Sequence, residues 1–402
     1  MPFSPLERRL LPYIAVQAGL STLVGFGAVL VHAEGGVQAT VTYTLLMLSA
    51  VMAGLALVYA SGALWRVDSR RMGWAAMLLA AGVLPFAHRH PGLLALAVGG
   101  FIGLAWAGRH WIELRQIDDA ERDTYAAHVT VTSVAVSLVV MALSSLWLTW
   151  AGDGPHAARG LYLGHAVLAA VGALVTVGRL PDTPGVRLHR PWALVRQAGW
   201  RASMRLYALS SVMFAVGTVM SASGAMQALG KASHYGWVAT LATLAGAVGL
   251  WVLRHRRHAG NRVRTMALST LGLAVAHLLL GASAWVPALY VLHLVMQAGI
   301  SPFWQASEQV LHQRAMDFHG SLADRIAMRE AGLWLFRMIA LGGFWLLLHD
   351  AAPVVILASG AGLMALATTL EFVIGRDWLR RADAAESLDP LDPQPNGSRL
   401  EA

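Results

Sequence analysis

An arginine in the middle of an apolar stretch has the clearest chemical potential in this sequence. Arg337 lies in the run GLWLFRMIALGGF, residues 332–344. A guanidinium presents a rigid fork of five N–H donors that matches carboxylate and phosphate oxygens. At the centre of a bilayer an unpaired arginine costs at least ~2.5 kcal/mol, so it normally faces the protein interior. Two readings follow. Arg337 is an anion site, or a charge that changes partner between two states. Alternatively it is one half of a static ion pair between helices. Glu330 and Trp334 fall on the same helix face by their spacing, and Glu330, Glu308 or a bound anion are its candidate partners.

A second pattern lies upstream. Tyr290, His293, Gln297, Ser301, Trp304 and Glu308 recur every three or four residues, which makes one polar and aromatic stripe along an otherwise apolar helix. Such a stripe suits the wall of an interior cavity between two halves of a protein. The plainer alternative is polar residues that hold helices together by hydrogen bonds of ~0.6 kcal/mol each. Glu308 could pair with Arg337, carry a proton, or serve as an ordinary carboxylate near the membrane interface. Weaker faces are His128 with Thr132 and Gln17 with Ser21. Met213, Met220 and Met226 suggest soft metals, but without tight spacing or a cysteine they read as core packing. The sequence contains no His-Glu-x-x-His, P-loop, nucleophile elbow or dinucleotide fingerprint. With no cysteine there is no thiol chemistry, disulfide or Cys-ligated metal. No enzyme activity, cofactor or metal is expected from these motifs.

The elements that position these residues are apolar spans. The chain has 402 residues, 56% hydrophobic and 13% charged, against roughly 25% charged in soluble domains. Membrane helices need about 20 mostly apolar residues. Twelve such spans can be read: Leu11–Val31, Val41–Leu64, Met72–Ala87, Gly92–Gly108, Tyr125–Trp150, Ala157–Val177, Ser203–Leu229, Gly236–Leu253, Met266–Val286, Pro287–Val310, Ile326–Leu348 and Pro353–Ile374. The third and fourth are short, and the ninth and tenth nearly merge at Trp285–Pro287.

The net charge of +8 is carried almost wholly by arginine. Arginines crowd every second gap, for example Arg66, Arg70 and Arg71, then Arg109 and Arg115, then Arg254, Arg256 and Arg257. The opposite gaps hold only Arg89, Arg159 and Lys231. Basic residues mark cytoplasmic loops, so both termini are expected in the cytoplasm. Membrane orientation thus explains the basic charge, and no nucleic-acid partner is expected. The first span exceeds a signal-peptide core of roughly 7–15 residues and is expected to stay in the protein. The polar, Pro-containing C-terminal tail is expected to be disordered. The sequon at Asn396 would face the cytoplasm and reads as chance.

The segment RLPDTPGVRLHRPWALVRQAGWRA, residues 179–202, divides the spans six and six. Its basic stretch from Trp192 to Trp200 suits a membrane surface. GLAWAGRHWIEL (Gly103–Leu114) and GISPFWQASEQVL (Gly299–Leu311) end corresponding spans of the two halves. After the second span, SGALWRVDSRRM matches a family loop motif at Gly62, Leu64, Arg70 and Arg71; Arg66 stands at the motif's usual Asp position and Asp68 falls two residues later. In this layout and motif the chain resembles the major facilitator superfamily. Its fifth span lacks the Gly-Pro signature of many drug–proton antiporters.

The resemblance implies an all-α polytopic membrane protein, with twelve transmembrane helices in two six-helix bundles. The bundles would be residues 1–178 and 203–378, joined by a cytoplasmic linker, 179–202, and followed by a disordered tail, 379–402. It implies a secondary transporter that moves a small solute across the bacterial inner membrane by alternating access. The solute would be anionic if Arg337 holds it. Coupled protons or other ions and membrane lipids are the other implied partners. The candidate substrate-binding residues are Arg337, Tyr290, His293, Gln297, Trp304 and Trp334. Glu308, Glu330 and Arg337 are the candidate coupling or ion-pair residues. The competing expectation is a non-transporting assembly or lipid-handling factor on the same scaffold.

Overall fold

The computed structural model describes residues 3–64, 68–117, 122–181, 183, 187–253, 262–316 and 319–388. Arg66, Arg254, Arg256, Arg257 and the sequon at Asn396 lie outside the described residues. Among those described there is no strand, and eleven α-helices follow one another with three short 3-10 helices. Among the described residues, eight helical segments are long and apolar enough to cross a membrane. The chain is a multi-pass membrane protein.

The two spans expected first form one element, α1 (Pro5–Leu64), interrupted only at Gly36. Its apolar part, Pro5–Tyr59, would be about 80 Å long as a straight helix, against a hydrocarbon core of ~30 Å. That length supports two crossings separated by the break. Gly36 has φ 65° and ψ −157°, a conformation that a side chain would strain. Thr40 Oγ1 donates to the Gly36 carbonyl at 2.8 Å and lies 3.1 Å from His32 Nδ1.

The short third span has a local explanation. Asp68 caps α2 (Ser69–Val83) by accepting from Arg71 N at 2.7 Å. Pro85 then stands in the first turn of a 3-10 helix, Leu84–Arg89. Fifteen α-helical residues give about 22 Å, and the six that follow add about 12 Å at the longer 3-10 rise. Next come α3 (Pro91–Gln116), α4 (Arg122–Ala151) and α5 (Pro155–Thr176). The second half holds α6 (Ala198–Leu229), α7 (Ala232–Leu253), α8 (Arg262–Ala282), α9 (Ala288–Ala315), α10 (Leu322–Leu348) and α11 (Pro353–Leu388). A hydrogen-bonded turn separates α8 from α9, at the place where the apolar pattern nearly merges.

One boundary needs correction. The disordered tail was expected to begin at residue 379, but α11 continues to Leu388. The residues there are mostly good helix formers such as Arg, Ala and Glu. The Arg380 to Asp377 contact at 3.3 Å spans one turn.

Within the first half, α1 packs on α3, and α2 on α3 and α5; in the second, α8 packs on α9 and α11, and α6 on α10 and α11. Gly99 and Gly103, four residues apart on α3, let its backbone approach α1. A Cβ at either would meet the Met47 or Val51 carbonyl oxygen. Small residues at this spacing are how membrane helices pack closely.

The halves meet where α1 faces α6 and α10 and where α4 faces α7. At the end remote from the 179–202 segment, Asp153 accepts from the backbone N of Ser233 at 2.8 Å and from its hydroxyl. Trp237 Nε1 donates to Thr149 Oγ1 at 3.1 Å, and Phe26 meets Tyr235 edge-on. At the other end, Asp324 accepts from the backbone N–H groups of His189 and Arg190 at 2.9 and 3.0 Å. Leu194 of that segment is buried while Trp192 is 76% exposed, as a strip lying on a membrane surface would be.

The expected orientation carries a direct check. Cys placed at His156 or Lys231 should react with an impermeant thiol reagent added outside, and Cys at Arg190 or Arg257 should not. The reverse labelling would overturn the orientation.

Candidate substrate cleft and ionisable cluster

Helix α10 starts at a Ser321 cap whose side chain accepts from Asp324 N. It brings Glu330, Trp334 and Arg337 onto one face. Arg337 does not pair with Glu330, which lies 3.8 Å from Arg329. Its guanidinium lies over the ring of Phe214 on α6, 4.3 Å from the centroid. Among the described residues it makes no ion pair, and its Nε is buried without a hydrogen-bond partner. A desolvated cation–π contact supplies ~2 kcal/mol, which roughly offsets the insertion cost. It provides no acceptor for the N–H fork.

Phe214 also lines a cleft of about 240 Å³. His293 and Gln297 of the stripe reach this cleft, and His277 of α8 faces them. His293 Nδ1 bonds the Ala276 carbonyl at 2.8 Å. His293 Nε2 and both ring nitrogens of His277 are buried without partners. Buried polar atoms normally have partners, so these are unused positions for a ligand. Tyr290 is fully buried and donates to the Ser221 carbonyl at 3.2 Å. Trp304 is buried and Trp334 half-buried, and the indole N–H of each lacks an acceptor.

The position of the cleft differs from expectation. It was expected between the halves, yet its lining residues all come from α6, α8, α9 and α11. The reason is local: Tyr290 and His293 bond α6 and α8, which turns the first part of the stripe into its own half.

The far part of the stripe enters a second constellation. Glu308 accepts from Ser210 Oγ at 3.0 Å, and its Oε1 lies 3.7 Å from His312 Nε2. The same nitrogen lies 3.2 Å from Glu371 Oε1 on α11. Glu371 is 0% exposed, and its Oε2 has no partner. The Tyr207 ring stands edge-on to His312, with centroids 5.1 Å apart, and the Arg329 guanidinium lies 5.9 Å from that ring's centroid. Sequence reasoning missed His312, Glu371 and His277. The signals existed: Glu371 and His277 interrupt apolar spans as Arg337 does, and His312 follows Glu308 by one helical turn.

The first half holds a counterpart on α3. Glu113 Oε1 accepts from Arg109 Nε and from Tyr125 OH, both at 2.6 Å, and Oε2 lies 3.2 Å from His110 Nδ1. Arg109 also reaches Gln17 Oε1 at 3.3 Å. His128 pairs instead with Glu7 at 2.6 Å. Arg109 and Glu113 lie in the stretch that parallels Gly299–Leu311. The α3 network is thus closed on itself, whereas the α9 cluster keeps unsatisfied atoms.

By sequence the chain matches no protein-family model and no curated protein. Its structure is similar over nearly its whole length to transporters of known structure. The nucleoside transporter NupG aligns over 94% of this chain and 98% of that chain, with a TM-score of 0.59 and 12% identity. A D-xylose-proton symporter aligns over 90% and 96%, with a TM-score of 0.62 and 12% identity. A proton dependent oligopeptide transporter aligns over 94% and 100%, with the same score and identity. The chain has the major facilitator fold. At this identity the likeness concerns the path of the backbone, and this chain's chemistry rests on its own side chains.

Proposed function

We propose that this protein is a secondary transporter that carries a small anionic solute through the bacterial inner membrane. Residues 1–178 and 203–378 act as two bundles that rock about the 179–202 linker, with both termini in the cytoplasm. Twelve crossings fit the helices and the break at Gly36. The structural neighbours move nucleosides, xylose with protons, and oligopeptides, which favours transport over an assembly role.

The observation that carries the proposal is Arg337. It lies against a cleft-lining ring, unmatched by any described carboxylate. In the proposed role its fork binds the solute's carboxylate or phosphate. His277, His293 and Gln297 bind polar groups on the same solute, while Tyr290, Trp304 and Trp334, which do not line the cleft in this state, meet the solute only as the bundles move. A cleft of about 240 Å³ falls below the roughly 300–1,000 Å³ that drug-sized ligands occupy, so the solute is small. Glu308 belongs to the coupling cluster, where a proton or another cation enters from the linker side. Glu330 neutralises Arg329 and leaves Arg337 free.

A thermal-shift screen of anionic, neutral and cationic metabolites tests the binding step, since a ligand at a hundred times its Kd stabilises by about 2.7 kcal/mol. Small carboxylates or phosphates should raise the melting temperature of the wild type and leave Arg337→Gln unmoved. A screen in which only neutral or cationic solutes stabilise the protein would reject the anionic substrate.

A further inference from the structure

We propose that Glu308, His312 and Glu371 form a binding site for a first-row divalent metal ion. The three residues offer two carboxylates and one imidazole whose ligand atoms all lie within 4.8 Å of one another. Such hard and borderline ligands suit Mn²⁺, Fe²⁺, Co²⁺ or Zn²⁺. Glu308 and His312 are one turn apart on α9, so both project from one helix face. Glu371 comes from the facing helix α11. The His312 nitrogen is 3.2 and 3.7 Å from the two carboxylate oxygens. Ligands bound at about 2.1 Å to a common metal stand roughly 3.0–3.5 Å apart, so a metal requires only small side-chain adjustments.

Charge balance points the same way. Neither carboxylate has an arginine within ion-pair distance among the described residues. Arg329 pairs with Glu330, and Arg337 lies over Phe214. One imidazole nitrogen cannot satisfy both carboxylates at once. Glu371 is fully buried, and its second oxygen is left without any partner. A buried carboxylate in that state holds either a proton or a cation, and the geometry of three converging ligands favours the cation. An outer contact that would fix a ligand is present: Ser210 donates to the Glu308 carboxylate at 3.0 Å. Such partners orient metal ligands and tune affinity. Leu206, Met266, Leu311, Ala315 and Leu379 form a separate apolar cluster among α6, α8, α9 and α11. Glu308, whose side chain is 17% exposed, is the member an ion meets first. Metal and protons compete for these ligands, so binding weakens as pH falls.

The site stands whether or not the protein transports an anion, because its test reads binding alone. Untagged full-length protein, stripped with chelator, is titrated with Co²⁺ and followed by visible absorption and equilibrium dialysis. The expected result is one Co²⁺ per chain with an oxygen–nitrogen ligand spectrum, displaced by Zn²⁺. Glu371→Gln and His312→Asn should each weaken binding by at least about tenfold. Ser210→Ala, which keeps all three ligands, should weaken it less. His349→Asn, at an exposed histidine on another helix end, should change nothing. If Glu371→Gln does not yield monodisperse protein, the partly exposed Glu308→Gln serves in its place. Absence of saturable binding of Co²⁺, Mn²⁺ and Zn²⁺ would overturn the proposal, as would full-affinity binding by the ligand variants.

Discussion

Replacing Arg337 with glutamine is expected to abolish solute transport while leaving membrane accumulation near normal. The wild-type guanidinium is held over Phe214 without an ion-pair partner among the described residues. Removing its charge therefore strands no carboxylate, and the insertion cost it relieves, at least ~2.5 kcal/mol, roughly balances the ~2 kcal/mol cation–π contact it gives up. What is lost is the fork that receives the anion. Hydrogen bonds to charged groups contribute about 1.5–3 kcal/mol each, so loss of one already lowers solute affinity by roughly ten- to a hundredfold. Arg337→Lys keeps the charge without the fork and should retain weak transport. Uptake rates normalised to membrane-inserted protein make the check. Wild-type rates in both variants would remove Arg337 from the transport cycle. Failure of both to accumulate in the membrane would instead favour a static structural charge.

Glu113→Ala should have the opposite profile, with a large loss of stability. Glu113 accepts from Arg109 and Tyr125 and lies beside His110, with its side chain 13% exposed. Truncating it leaves Arg109, itself only 12% exposed, without its carboxylate. Breaking one side of a buried pair costs about 3–5 kcal/mol, whereas replacing both sides by apolar residues can be nearly neutral. The double variant Arg109→Leu, Glu113→Leu should therefore recover much of the melting temperature that Glu113→Ala loses. A single variant as stable as the wild type would show that the network contributes little.

These contrasts mark what the sequence could convey. The apolar runs give most helix positions, because twenty-residue spans are dictated by bilayer thickness. The continuity of α1 through Gly36 depends on one backbone conformation, which residue type permits but does not announce. The early end of α2 follows from Pro85 and is readable once the 3-10 rise is considered. Arg337 and the stripe are visible because they violate apolar patterning. Which helix each side chain meets is a matter of packing. His293 turns to α8, so the cleft lies within one half, and no periodicity could indicate that. The Glu308–His312–Glu371 cluster joins residues 59 positions apart, and only the meeting of α9 with α11 brings them together.

The most direct test of the proposed transport is uptake into sealed proteoliposomes. An anionic solute found by thermal shift is added outside vesicles that hold the purified protein, under an imposed pH or metal-ion gradient. The transport reading requires saturable, gradient-dependent accumulation that Arg337→Gln abolishes. Tight binding of the same solute with no movement into the vesicles, under any gradient, would contradict it.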